Sequence, residues 1–171
     1  MSDPTTPRVL SRQAFVARFG PVFEDSPWIA AAAFDAGVPA EAHTGAGLHR
    51  VLCAVLRAAP ADRQMALILA HPDLAGRLAR TGALTKASTE EQAGAGLNRL
   101  TDTEFEQFTM LNTAYREKFA MPFIIAVKGL NKAEILAAFS ARMNNDRDTE
   151  TATALAQIER IALLRLQDIL P

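Results

Sequence analysis

The strongest constraint on the fold is a repeat of large apolar residues in the second half of the chain. These side chains recur three or four positions apart, at Phe105, Phe108, Leu111, Tyr115 and Phe119. Such spacing places them on one face of an α-helix, which must be buried against other elements. The preceding run Thr101-Asp102-Thr103-Glu104 has the pattern of a capping box and predicts where this helix begins.

Similar helix signals recur along most of the chain, and no hairpin signal accompanies them. The predicted helices are Ser11–Phe19, Trp28–Phe34, Leu48–Ala58, Pro60–Ala70, Pro72–Arg80, one opened by Ser88–Glu91, one opened by Thr101–Glu104, Asn131–Arg142 and Thr149–Leu170. The predicted fold class is therefore all-α, a compact single-domain bundle of about eight helices. We expect residues 1–10 to form a flexible N-terminal tail and residues 11–171 to form the domain.

Composition limits the classes of protein that need to be considered. The 171 residues are 49% apolar and 22% charged, and the formal net charge is −1. So neutral a chain is not expected to bind nucleic acid or an anionic membrane. The longest apolar runs fall well short of the ~20 residues of a membrane span. The N-terminus has no signal-peptide pattern, so we expect a cytoplasmic location.

The single cysteine and two of the three histidines are expected to be structural. Cys53 lies in an apolar run, which favours a buried, inert thiol. His43 falls in the Gly-rich stretch 37–47, which we interpret as a connecting loop, and His49 is expected on a helix surface. Because no histidine or carboxylate spacing is typical of metal ligands, no metal site is predicted.

His71 is the best candidate for acid/base chemistry. The residue before a proline is disfavoured in helix, whereas Pro72 suits the first position of a new one. This pattern predicts that His71 lies at the N-terminal end of the helix Pro72–Arg80. The positive end of a helix disfavours an imidazolium, and a neutral imidazole can both accept and donate a proton. The alternative is a histidine that only caps the helix.

Ser88 and Glu91 also have two interpretations. Their spacing is that of a capping box, which would explain both residues as structural. The same geometry would place a hydroxyl, a carboxylate and free backbone N–H groups at one helix start, where a polar substrate could bind. Further along, Gly94 and Gly96 fall inside the predicted helix and cost about 1 kcal/mol each relative to alanine, which indicates a close backbone approach or a helix packed tightly against a neighbour.

Arg165 occupies an unusual position in the last helix. On a helical wheel it falls within an apolar arc formed by Ala154, Ile158, Ile161 and Ile169. A guanidinium in such a place is costly unless it meets an anion. It is either a snorkelling or ion-paired structural arginine, or an anion-binding residue that faces an enclosed site.

The apolar run Met121–Val127 lies between a helix and a glycine. Periodicity cannot decide whether it is a buried extended segment or part of a helix. If Phe123–Val127 is not helical, its backbone groups can serve a ligand rich in amide donors and acceptors. A continuous helix through these residues would count against that role.

Several segments, in order, resemble one enzyme family. They are Phe19-Gly20-Pro21-Val22-Phe23-Glu24-Asp25-Ser26-Pro27-Trp28, Ala70-His71-Pro72-Asp73-Leu74-Ala75-Gly76, the run Leu84–Leu97 with Ser88, Glu91 and Gln92, the run Leu111–Phe119, Pro122-Phe123-Ile124-Ile125-Ala126-Val127, and Glu159-Arg160-Ile161 with Arg165-Leu166. The family is 2-oxo-4-hydroxy-4-carboxy-5-ureidoimidazoline (OHCU) decarboxylase. The resemblance extends from about Phe15 to Leu170, nearly the whole chain.

This resemblance implies an all-α homodimer that uses no cofactor and converts OHCU into S-allantoin in uric acid degradation. It implies that His71 is the catalytic acid/base and that Glu91 and Arg165 are its partners. The implied substrate-binding residues are Pro72, Ser88, Gln92, Phe123, Ile124, Ile125, Ala126 and Val127. Without the resemblance, a non-enzymatic helical interaction module would be the first hypothesis, while the near-neutral charge disfavours a DNA-binding regulator.

Overall fold

The structure is a computed structural model that describes residues 6–75 and 84–170. These residues contain eight α-helices and no β-strand, which confirms the predicted all-α class. The helices α1 to α8 are Arg12–Phe19, Trp28–Asp35, Gly45–Ala58, Ala61–Ala70, Lys86–Gly94, Asp102–Phe119, Lys132–Arg142 and Arg147–Ile169. Single turns of 3-10 helix occur at Pro7–Val9, Gly20–Val22 and Ala40–His43.

The chain divides into two compact units. The first consists of Met1–Ala70 and Glu159–Pro171, and the second is His71–Ile158. Helix α8 therefore begins in the second unit and ends in the first. In the described part of the N-terminus, Pro7 is buried. The boundary between a tail at 1–10 and a domain at 11–171 stays a prediction.

The first unit is built around the aromatic face of α1. The Phe15 ring meets the Phe19 ring edge to face at 4.9 Å between centroids, and the Phe34 ring at 5.4 Å. Further buried apolar side chains are contributed by α2, α3, α4 and α8: Ile29, Leu48, Leu52, Leu56, Leu67, Ile68, Ala162 and Leu166. Their burial is the main favourable contribution to the stability of this unit.

Helix α3 begins earlier than predicted, inside the expected loop 37–47. Its cap is Thr44, whose hydroxyl accepts a hydrogen bond from the Gly47 N–H at 3.0 Å. Glycine is required at position 47, because a Cβ there would lie 1.7 Å from the Glu41 carbonyl oxygen. The glycines of this stretch therefore allow a close approach of backbone at the start of a helix.

The second unit has an aromatic core formed by side chains of α6 and α7 together with Phe123 between them. The Phe123 ring stacks on the Phe139 ring at 3.6 Å, and the Tyr115 ring lies 5.3 Å from that of Phe123. Phe108 and Phe119 extend the cluster along α6. The predicted capping box is present, since Thr101 accepts from the Glu104 N–H and the Glu104 carboxylate accepts from the Thr101 N–H.

Candidate functional site

The segment His71–Ala75 directly follows α4 and is largely buried. The side chain of His71 is among the buried polar groups, with the residue 7% exposed. The prediction that Pro72 starts a helix is wrong for residues 72–75, which form an irregular stretch and a turn. The remaining residues of the predicted helix, 76–80, lie outside the described part of the chain. Residues 72–75 thus do not form the helix N-terminus from which a neutral His71 was argued.

Three side chains from two helices hold this segment in place. The Gln92 Oε1 accepts from the Ala75 N–H at 2.9 Å, and the Asn112 Nδ2 donates to the Leu74 carbonyl at 2.8 Å. The Arg116 Nε lies 2.9 Å from the Asp73 carboxylate. Such anchors are needed because Ala75 adopts a φ of 51°, in the left-handed region that non-glycine residues avoid. The chain next to His71 therefore has a fixed conformation.

Helix α5 carries the predicted residues Ser88, Glu91 and Gln92. The predicted capping box of Ser88 and Glu91 is wrong, because α5 begins at Lys86 and its cap is Thr85, whose hydroxyl accepts from the Ser88 N–H. Ser88 and Gln92 are four positions apart on one face and both are buried, while Glu91 is half-buried. Glu91 is therefore not part of the cap of this helix.

The two glycines near the end of α5 also differ from the prediction. Gly94 is the last residue of the helix, and Gly96 follows it with a φ of 79°. Among the described residues, nothing lies within 4 Å of a Cβ built at either position, so the expected close backbone approach or tight helix packing is wrong there. Gly96 is instead suited to the left-handed turn that ends the helix.

The segment Phe123–Val127 is not helical, which is the condition set for its binding role. Phe123, Ile124 and Val127 are buried, and Ile125 and Ala126 are half-buried. Its backbone is tied to two helices: the Arg142 Nη1 donates to the Ile124 carbonyl at 2.6 Å, and the Gln157 Oε1 accepts from the Ala126 N–H at 2.9 Å. A buried segment that is not helical needs such partners, because it makes no helical hydrogen bonds.

Arg142 belongs to a buried polar cluster in the second unit. Its guanidinium lies 2.8 Å from the Glu150 carboxylate, which also accepts hydrogen bonds from Tyr115 and Asn145. Burial opposes ionisation of Glu150, but the hydrogen bonds from Arg142, Tyr115 and Asn145 outweigh it and lower its pKa. Burial, together with the hydrogen bond to Glu150, raises the pKa of Tyr115. The cluster is thus an ion pair with a neutral phenol donor.

Asn112 is polar but lies in the apolar stripe of α6. The residue is 5% exposed, and its Oδ1 has no hydrogen-bond partner within the ranges that the structure describes. A buried acceptor in this state costs about 1–3 kcal/mol. The donor side of the same amide holds the Leu74 carbonyl, so the cost is linked to fixing the segment beside His71.

Arg165 lies in the first unit, where its described contacts are those of a structural ion pair. Its Nη2 is 2.9 Å from the Glu24 carboxylate, and its Nη1 donates to the Val22 carbonyl at 3.1 Å. Both side chains are almost wholly buried. Arg165 therefore pairs with an anion that the protein itself supplies, which agrees with the interpretation of an ion-paired structural arginine. Its role as a substrate partner stays a prediction.

The two other histidines and the single cysteine were expected to be structural. His43 is exposed, and His49 is half-buried with its Nε2 2.8 Å from the Glu159 carbonyl oxygen. Cys53 is buried, and burial followed by the charge of Glu159 raises the pKa of its thiol to about 12. No group of three or more metal-ligating side chains occurs within residues 6–75 and 84–170. None of the helices described there is long and apolar enough to cross a membrane.

The second unit therefore contains His71, Pro72, Ser88, Glu91, Gln92 and Phe123–Val127, and the first contains Arg165. Sequence reasoning missed Asn112, Arg142 and Gln157. Asn112 could have been found by the argument used for Arg165, a polar residue on an apolar helical face. Arg142 and Gln157 contact segments 18 and 31 residues away along the chain, and no local pattern predicts such pairs.

Comparison with known proteins gives relatives at moderate identity. The chain is 37% identical to the uric acid degradation bifunctional protein of Bacillus subtilis over 94% of its own length, but spans only 31% of that protein. It is 37% identical to the 2-oxo-4-hydroxy-4-carboxy-5-ureidoimidazoline decarboxylase of Halalkalicoccus jeotgali, covering 92% of this chain and 86% of the relative. The mouse protein of the same description is 34% identical, with 91% and 86% covered.

Two solved structures have the same fold. A crystal structure of (S)-allantoin synthase superposes with a TM-score of 0.76 at 29% identity, covering 96% of this chain and 52% of that chain. A crystal structure of OHCU decarboxylase in the presence of (S)-allantoin superposes with a TM-score of 0.66 at 20% identity, covering 83% and 89%. The family model described as OHCU decarboxylase matches residues 8–167. The chain belongs to the OHCU decarboxylase family.

Proposed function

We propose that this protein decarboxylates OHCU to S-allantoin in uric acid degradation, without a cofactor. The observation that carries the proposal is the buried His71 in a segment held rigidly by Gln92, Asn112 and Arg116, within a chain of this family. A rigid, largely desolvated imidazole suits proton transfer at a fixed atom of a substrate. The proposed location is the cytoplasm, the proposed assembly is a homodimer, and neither nucleic acid nor a membrane is a proposed partner.

The substrate itself can accept the electrons that decarboxylation releases. Its C4 carries both a carboxylate and a hydroxyl, and C5 next to it is part of a C=N bond. When the bond from C4 to the carboxylate breaks, the electron pair forms C4=C5, and the ring nitrogen gains a proton. The C4 hydroxyl then loses its proton as the carbonyl forms, and a proton is delivered to C5. Chemistry of this kind needs acid/base groups and no external electron sink.

In this scheme His71 acts on the C4 hydroxyl or delivers the proton to C5. Glu91 orients His71 or binds a ureido N–H. Arg165 stabilises the developing oxyanion on the former C4 hydroxyl, because a tight clamp on the departing carboxylate would stabilise the ground state and slow the reaction. Pro72, Ser88, Gln92 and Phe123–Val127 bind the remainder of the substrate. The role of Arg165 is proposed from the family resemblance alone.

The reaction is tested by circular dichroism at allantoin wavelengths with freshly generated OHCU. The proposal expects an S-allantoin signal whose rate of appearance is proportional to the protein concentration. Racemic product, formed at the rate seen without protein, would reject the proposed reaction.

Size-exclusion chromatography with light scattering tests the proposed homodimer, and a monomer at micromolar concentration would reject that assembly.

The role of His71 is tested by His71→Asn in the same assay. We expect the folded variant to yield S-allantoin at the background rate, because the amide cannot exchange a proton near neutral pH. The matched control is His43→Asn, which changes an exposed histidine of the first unit and should leave the rate unchanged. Full activity in His71→Asn would remove His71 from the mechanism. Glu91→Gln and Arg165→Lys, tested alongside, should each lower the rate.

A further inference from the structure

The non-helical segment Phe123–Val127 is held at two points by side chains that the proposed mechanism does not use. The Arg142 Nη1 donates to the Ile124 carbonyl at 2.6 Å. The Gln157 Oε1 accepts from the Ala126 N–H at 2.9 Å. Ile125, which lies between the two anchored residues, is half-buried. The backbone on both sides of Ile125 is thus fixed by contacts from α7 and α8.

Arg142 is itself held in one orientation. Its Nε and Nη2 both lie within hydrogen-bonding distance of the Glu150 carboxylate, and its guanidinium lies 4.3 Å from the centre of the Phe123 ring. Glu150 is fully buried and also accepts from the Asn145 Nδ2 at 2.7 Å. Arg142 therefore contacts the segment twice, through the ring of Phe123 and the carbonyl of Ile124. Because Glu150 holds Nε and Nη2, the planar guanidinium keeps its Nη1 directed at the Ile124 carbonyl.

Gln157 anchors the segment without any charge. It is half-buried on α8, one turn beyond Ala154 and next to Ile158, which are both buried. The amide oxygen accepts a hydrogen bond from the Ala126 N–H. Outside a helix or a sheet, this backbone donor would otherwise lack a partner in the protein. Because the side chain is neutral and only half-buried, its replacement disturbs the core less than replacement of Arg142 would.

We infer that Gln157 and Arg142 are positioning residues for substrate binding, acting through the backbone of residues 124–126. The inference rests on the proposed function, in which Phe123–Val127 binds the substrate. A segment held in its binding conformation before the substrate arrives does not have to be ordered during binding. Loss of one anchor should therefore weaken binding of the substrate and the product by similar factors. The acid/base groups are unchanged, so the rate at saturation should be nearly preserved.

The test compares Gln157→Met with Gln157→Glu. Methionine keeps the length of the side chain but removes the acceptor, whereas glutamate keeps an acceptor oxygen for the Ala126 N–H. For Gln157→Met we expect KM for OHCU and Kd for S-allantoin to rise roughly threefold to tenfold, the value of one hydrogen bond, with kcat changed by less than about twofold. Gln157→Glu should restore both constants to near the wild-type values.

Gln64→Met is the matched structural control. The Gln64 Nε2 donates to the Leu56 and Ala59 carbonyls at the end of α3, in the first unit. Its replacement should lower the melting temperature without changing KM or Kd. An equal change of KM in Gln64→Met and Gln157→Met would overturn the inference, since it would show a general effect of lost stability.

The outcomes also separate this inference from the proposed function. If the wild-type protein forms S-allantoin and Gln157→Met leaves KM and Kd unchanged, the inference alone is overturned. A fall of kcat at unchanged KM in that variant would overturn it too, because it would indicate only a smaller folded fraction. If the wild-type protein forms no S-allantoin, the proposed function fails and the inference fails with it.

Discussion

At the scale of single residues, four polar side chains of the second unit bind the two non-helical segments that carry the proposed chemistry. Gln92 and Asn112 bind the backbone beside His71, and Arg142 and Gln157 bind the backbone beside Ile125. Each of these side chains replaces a hydrogen bond that an irregular buried segment cannot make with itself. These four side chains thus supply hydrogen bonds to two segments whose backbone is not helical.

Asn112 allows this explanation to be tested. Asn112→Leu should change the free energy of unfolding by less than about 1 kcal/mol, because it removes the donor of the buried Leu74 carbonyl but also removes the unpartnered Oδ1. Asn112→Asp should cost more near neutral pH, since it places a carboxylate next to that carbonyl. The extra cost should shrink as the pH is lowered, because a protonated carboxyl can donate. Urea unfolding at several pH values measures these differences.

Thr113→Ala is the control for Asn112, since Thr113 is exposed on the same helix and its replacement should change stability by less than about 0.5 kcal/mol. Wild-type stability of Asn112→Asp at neutral pH would show that the Asn112 amide does not donate to Leu74.

At the scale of helices and segments, the accuracy of prediction from sequence followed the range of the interaction. The helix starts at Ser11, Thr101 and Asn131 were predicted correctly, because each of these residues caps its helix through a bond to a residue three positions away. The start of α5 was missed, because Thr85 and Ser88 offer the same cap chemistry three residues apart. Burial of Ser88 and Gln92 on one face decides between them, and that burial depends on residues far along the chain.

In the candidate site, too, features that depend on contacts distant in sequence were not predicted. The family motifs indicated His71, Ser88, Glu91 and Gln92, but the premise that Pro72 begins a helix is wrong for residues 72–75. Proline suits the first turn of a helix and equally suits a turn. The conformation of Phe123–Val127 could not be predicted, because its backbone is bound by Arg142 and Gln157, which are distant in sequence. Apolar periodicity predicts which residues share a face of one helix, but it does not predict contacts with residues far along the chain.

The start of α5 can be tested with Thr85→Ala. We expect a loss of about 1 kcal/mol in the free energy of unfolding, because the Ser88 N–H loses its cap acceptor. Thr89→Ala is the control: its exposed hydroxyl donates to the Thr85 carbonyl and accepts no N–H of the first turn, so its loss should stay within about 0.5 kcal/mol. Urea unfolding measures both. Equal stability of Thr85→Ala and wild type would place the cap elsewhere.

At the scale of the whole molecule, an almost neutral chain contains a buried arginine–glutamate pair in each of its units. They are Arg165 with Glu24 at 2.9 Å in the first unit and Arg142 with Glu150 at 2.8 Å in the second. Charges buried in this way are costly to separate, and loss of one partner typically costs about 3–5 kcal/mol. The free energy of unfolding should therefore depend on pH more strongly than the small net charge indicates.

The second pair gives this dependence a definite sign. Because the pKa of Glu150 is lower in the folded than in the unfolded protein, the native state binds this proton less tightly. Its contribution to stability is complete above the unfolded value of about 4.3 and is lost as the pH falls towards the folded pKa. The pKa of Tyr115 is raised, so its contribution is complete below about 10 and is lost as the pH rises above that value.

Glu150→Gln should therefore lower the free energy of unfolding by about 3–5 kcal/mol near neutral pH, where it leaves the buried Arg142 without its counter-ion. The difference from wild type should shrink below about pH 4, as Glu150 takes up a proton in the wild-type protein. Urea unfolding from pH 3 to 8 measures it, with Glu106→Gln as the control on an exposed glutamate of α6. A difference between wild type and Glu150→Gln that stays constant over this range would contradict the assignment, because it would mean that Glu150 does not titrate differently in the two states. A difference that shrinks equally in Glu106→Gln would instead trace the acid loss to the overall charge of the chain.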